Sequence, residues 1–177
     1  MAMDIPKIQL PPTLQAFFDL LRLERGPGVL PESTQLMGTT VVIFGVLEAA
    51  LDMMDHSVLG SIAFGVLSAG FLVAFAYGVL KAYKREDAFV RVVTAMAGTG
   101  AAIALISIVL HFVFAIALPP PLPSDRLVRF LLFPMIAWMV FLYSWILRHV
   151  SIRTIPAFAA ATTYVIVVDW IFGTLLH

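Results

Sequence analysis

Cysteine and asparagine are both absent from this chain, and only 12% of its 177 residues are charged. Without cysteine there are no disulfides, no thiolate nucleophile and no cysteine-ligated metal site. Without asparagine there is no N-glycosylation acceptor. The scarcity of charge, set against 61% hydrophobic residues and a mean hydropathy of +0.99, leaves too little polar surface to cover a water-soluble domain of this size. Lysines and arginines equal acids, eleven of each, so nothing in the charge balance points to nucleic acid. No ten-residue stretch alternates apolar and polar residues as a membrane β-barrel strand would.

What is present is a set of long apolar runs. Backbone groups in hydrocarbon must be satisfied within the segment, so runs of about 20 apolar residues read as membrane-crossing helices. Five are expected, at about 36–54, 57–80, 89–118, 127–147 and 155–176. The fold class is therefore all-α, a polytopic membrane bundle of five transmembrane helices preceded by a short amphipathic interfacial helix. Residues 1–35 form an N-terminal segment and 36–177 the transmembrane domain, which leaves no room for a soluble catalytic domain.

The basic residues give the spans a direction. Lys7, Arg22, Arg25, Lys81, Lys84, Arg85, Arg91, Arg148 and Arg153 fall on one side of the alternating loops, and only Arg126 and Arg129 on the other. The positive-inside bias makes the N-terminus cytoplasmic and the C-terminus external. Met1 to Leu10 has no short apolar core with a small-residue cleavage site. The first span is thus expected to be the insertion signal, and a bacterial inner membrane the location.

Before the first span, Leu14, Phe17, Phe18 and Leu21 recur at helical spacing, with Gln15, Asp19, Arg22 and Arg25 on the other side. This predicts an amphipathic helix over about 13–25, with Pro11 and Pro12 barring backward extension, Thr13 as cap, and Gly26, Pro27 and Gly28 ending it. Phe17 and Phe18 would enter the acyl boundary while Arg22 and Arg25 meet lipid phosphates. Docking on a partner or on the bundle itself is the other use of the same face. Pro31, Glu32 and Ser33 read as the first turn of span one. Only Asp55 and His56 separate spans one and two, which makes these an antiparallel hairpin. Ser61, Gly65 and Ala69 in span two, and Ala97, Gly98, Ala101 and Ala102 in span three, are small residues that let helices approach closely, within the bundle or across a dimer face. Pro119 to Pro123 predicts an extended external segment, and Pro134 a kink in span four. Trp138, Tyr143 and Trp145 suit the cytoplasmic interface.

Ionisable residues within spans are costly in lipid and ask for a partner or a watery cavity. Glu48 lies about 9 Å below the outer end of span one, Asp52 one turn higher, and His111 about 10 Å below the end of span three. Asp169 in span five reaches a similar depth. These four form a candidate intramembrane polar cluster, with Asp55 and His56 leading outward. They either satisfy one another within the bundle or form a proton or cation site. No metal-ligand signature, haem-ligating histidine pair, phosphate loop or nucleophile elbow is found, so no cofactor or bound metal is expected and the chain does not read as an enzyme.

The cytoplasmic amphipathic leader, the proline just before the first of five spans, and the short external C-terminus resemble the Yip1-like membrane proteins. The resemblance covers about residues 10–176, without the Asp-Leu-Tyr-Gly-Pro sequence of the eukaryotic branch. It implies a non-enzymatic protein working through partners or bilayer organisation, and carries over no functional residue. The expected function is accordingly an integral membrane accessory or scaffold protein, contacting lipids and a membrane-protein partner or a second copy. The alternative is a small ion or proton channel or transporter subunit using Glu48, Asp52, His111 and Asp169. Lipid handling is a third.

Overall fold

The computed structural model describes residues 11–117 and 125–168, with the side chains of residues 125, 126, 128 and 129 left aside. Lys7, the proline run at 119–123, the side chains of Arg126 and Arg129, and the part of the fifth span beyond residue 168 lie outside the described residues. Six α-helices occur among the described residues: α1 (Pro12–Leu21), α2 (Thr34–Asp52), α3 (Val58–Ala82), α4 (Phe89–Ala117), α5 (Asp125–His149) and α6 (Thr154–Ile166). Four stretches are long and apolar enough to cross a membrane, namely α2, α3, Glu86–Ala117 around α4, and Phe130–His149 within α5. Helix α6 is apolar but shorter within the described residues.

Serines start the first two long helices. The Ser33 hydroxyl accepts from the Leu36 N–H at 3.2 Å and that of Ser57 from the Gly60 N–H at 3.4 Å, each satisfying one of the donors a helix start leaves unpaired. Helix α2 thus begins after Ser33 instead of at Pro31. Glu32, expected in its first turn, pairs instead with Arg91 at the start of α4, 2.9 Å away. Helix α1 is shorter than its sequence pattern suggests. It starts at Pro12 without a side-chain cap, because a proline's missing N–H costs nothing in a first turn. It ends at Leu21 because Leu23 turns left-handed (φ 61°), and the N–H groups of Leu23 and Glu24 reach back to the carbonyls of Leu20 and Asp19. The same closure ends α3: Lys84 is left-handed (φ 55°), and Lys84 and Arg85 donate to the carbonyls of Lys81 and Leu80.

Helix α4 is the axis of the bundle, packing against α1, α2, α3 and α5, while α6 packs on α5 and touches α3. Its first half is enclosed, with Val92 to Ala97 all buried. Its second half is not: Leu105, Ile106, Val109, Phe112, Val113 and Ile116 are exposed. Among the described residues the bundle is therefore most enclosed at the end that carries Arg85, Arg91, Arg148 and Arg153, the basic end, and leaves more of α4 exposed towards the opposite end.

Helices α2 and α3 meet through small residues. A side chain at Gly65 would run into the Gly45 carbonyl and Ala49, and one at Gly45 would press on Gly65 and Ala69. Ser61, Gly65 and Ala69 thus serve packing within the bundle. Gly98 of α4 has a different use, since the Phe17 ring of α1 occupies the space its side chain would need. Tyr143 departs from its expected interfacial position. It is fully buried and packs edge-on against Tyr164 of α6, 5.3 Å between centroids, with Phe71 of α3 stacked on Tyr164 at 5.6 Å. Edge-on and stacked ring pairs of this kind add to the apolar area that the three helices bury there. Helix α5 continues on both sides of Pro134.

Candidate functional site: a polar cavity at the open end

Between α2, α4 and α5, towards the end opposite Arg85 and Arg148, lies a cavity of about 300 Å³. Helix α2 contributes Glu48, Leu51 and Asp52, and the following turn Asp55. Helix α4 contributes Ile103, Ala104, Ser107 and His111, each spaced to fall on one face. Phe64 of α3, Leu132, Met135, Ile136 and Met139 of α5, and Val168 close the rest. Of the four residues expected to form a polar cluster, Glu48, Asp52 and His111 line this one space. Asp169 lies outside the described residues.

Asp52 has a defined architecture. One carboxylate oxygen accepts from the Ser61 hydroxyl at 2.7 Å, and the other lies 3.1 Å from His56 Nδ1. Ser61 is fully buried and the Asp52 side chain only 11% exposed, so Asp52 clips the start of α3 to the end of α2 while forming part of the cavity wall. Burying a carboxylate this deeply requires such partners. Glu48 sits one helical turn further in, half-buried. On the opposite wall Ser107 and His111 are one turn apart on α4. Ser107 is 5% exposed, and neither residue makes a hydrogen bond or ion pair among the described residues.

The electrostatic character follows from composition. Glu48, Asp52, Asp55 and His111 line the space, with Asp52 also bonded to Ser61 and paired with His56, and among the described residues no lysine or arginine lines it. No group of three His, Asp or Glu among them converges as a metal site would require. The cavity suits a positive charge, a proton, or water shared between the acids and His111. Sequence reasoning missed Ser107 and Ser61. Ser107 was findable as the residue four before His111 on the same helical face. Ser61 was read as a packing residue because its partner, nine positions earlier, requires the turn geometry to be known.

The expected lipid-interface residues lie on and just after α1. Ala16 and Leu20 are buried, Phe17 covers Gly98, and Leu14 and Phe18 are each 48% exposed. The apolar face is thus shared between the bundle and the outside. Arg22 and Arg25 are exposed, with Arg25 3.5 Å from Asp19.

No family model matches this chain, and neither a curated protein nor a solved structure does.

Proposed function

We propose that this chain is a non-enzymatic, multi-pass integral membrane protein of a bacterial inner membrane whose working part is the polar cavity, which takes up a proton or cation from the external side. The observation that carries the reading is the meeting of Glu48, Asp52 and His111 in one space, at the end of the bundle opposite Arg85, Arg91, Arg148 and Arg153. The positive-inside bias supports a cytoplasmic basic end and an external cavity, with α6 as the first part of a fifth span and α1 lying along the cytoplasmic leaflet. Carboxylates at that depth are costly unless they are paired or hydrated, and a cavity supplies hydration. The test is Glu48→Gln in proteoliposomes and in cells. Proton or cation uptake should vanish at unchanged protein level. Uptake equal to wild type, or absent in both, would overturn the reading.

A second reading, an accessory or scaffold protein, is favoured by a groove of about 570 Å³ between α2 and α3. Its floor is Gly45, Ala49, Gly65 and Ala69, and its rims are Val42, Val46, Ile62 and Val66, all four exposed. Small residues flanked by branched ones suit an apolar membrane helix. The resemblance to Yip1-like proteins points the same way. Purification of a tagged chain in native nanodiscs, with mass spectrometry, would return a stoichiometric membrane partner or second copy, lost on Val46→Trp.

A further inference from the structure

The cavity is two-faced. Carboxylates of Glu48, Asp52 and Asp55 stand on one side, whereas Phe64, Ile103, Leu132, Met135, Ile136 and Met139 form an apolar remainder. The space, about 300 Å³, is larger than a proton or a bare metal ion requires, and no three described acids or histidines converge on a point as a metal ion demands. Sites that bind small molecules are mostly apolar pockets, from about 300 Å³ upward, with a few placed polar groups. This cavity fits that description at its lower limit.

Ser107 is a second kind of polar group turned to the cavity. It is 5% exposed, lines the cavity, and makes no hydrogen bond among the described residues. A serine in an α-helix commonly returns its proton to the carbonyl one turn back, as Thr94 and Thr99 do in this same helix. The Ser107 hydroxyl is not sealed in the protein interior; it reaches the cavity space, where a ligand or a water can meet it.

We infer that the cavity is a binding site for a small amphiphilic organic cation, a primary ammonium with a short apolar chain. Its head is held by Glu48 and the Ser107 hydroxyl oxygen, and its tail lies against Met135 and Met139. Three N–H donors on one compact head match acceptors on facing helices, and charge-assisted bonds to a carboxylate are the strong ones. Methionine adapts its shape to an apolar chain. The acids of the cavity lining, Glu48, Asp52 and Asp55, disfavour carboxylates and phosphates. This inference rests on the cation-uptake reading above and names the ligand class for the same site.

Isothermal calorimetry of the full chain in nanodiscs, with empty nanodiscs subtracted, tests it using hexylamine, hexanol, hexanoate and calcium chloride as probes, with proton release followed in parallel. Hexylammonium should bind saturably, about tenfold or more tighter than hexanol, and Glu48→Gln should remove that preference. Ser107→Ala, a smaller perturbation of the fold, should weaken the amine several-fold and leave hexanol unchanged. Equal affinity for hexanol and hexylammonium would overturn the ammonium head. Calcium binding or proton exchange without amine binding would overturn the ligand class and leave the cation reading standing. No binding of any probe and no proton exchange would overturn both.

Discussion

Asp52 shows how one residue serves two ends. Its oxygens receive Ser61 and face His56, so it costs little to bury and forms a fixed part of an acidic wall. Ser61→Ala should leave one buried carboxylate oxygen without its donor and lower stability by about 1–3 kcal/mol. The measurement is the thermal midpoint in mild detergent, and an unchanged midpoint would show the clip to be unimportant. Lys84 offers the opposite test. It adopts a left-handed conformation that glycine accepts freely, is exposed, and closes α3 with backbone bonds alone. Lys84→Gly should raise the midpoint, by an amount corresponding to about 0.5–1 kcal/mol after the greater freedom of an unfolded glycine is deducted. A lowered midpoint would mean that the lysine side chain itself holds the turn.

Among the elements, α1 shows best what a sequence pattern carries and what it leaves open. The repeat of Leu14, Phe17, Phe18 and Leu21 marks an amphipathic helix, and such a helix forms. The pattern cannot say what each face meets, because an apolar stripe suits lipid and protein equally. The structure divides it, with Phe17 over Gly98 and Phe18 exposed. Gly98→Leu should therefore displace α1 and speed tryptic cleavage after Arg22 and Arg25, leaving the long helices protected. Unchanged cleavage would mean α1 is held by other contacts. Helix α2 against α3 is a sterner case. Gly65→Leu forces the two backbones apart and should cost about 1–3 kcal/mol or more, as overpacking does, seen as loss of folded protein on size-exclusion chromatography. The four long apolar runs were legible to within a few residues, since length and hydropathy dominate there. The ends were less so. Leu23 stops α1 and Ser33 starts α2 through backbone closures and caps that compete with nearby prolines and glycines, and Tyr143 follows a tertiary junction that no local signal records.

At the scale of the whole molecule, the described residues are most enclosed at the end that carries Arg85, Arg91, Arg148 and Arg153 and more exposed towards the other. That taper, more than any single residue, makes a cavity. The similar positions of Glu48, Asp52 and His111 along their spans were readable by counting 1.5 Å per residue; that α2 and α4 bring these residues to one space was not, because helix rotation is set by tertiary packing such as that of Phe44 of α2 against Gly100 of α4. The absence of native cysteine makes the molecule suited to site-directed labelling without background. Single cysteines at Glu86 and Arg153 should react with a membrane-impermeant maleimide only from the cytoplasmic side, and one at Met53 only from outside. The reverse pattern would invert the topology.

The most direct measurement is the reactivity of Ser107→Cys towards a small membrane-impermeant methanethiosulfonate, added to intact spheroplasts and, separately, to inside-out vesicles. An external, water-filled polar cavity predicts rapid modification from the spheroplast side, slowed by hexylamine, and slow modification from the vesicle side. Modification only from the vesicle side, or none on either side while the variant remains folded, would contradict it.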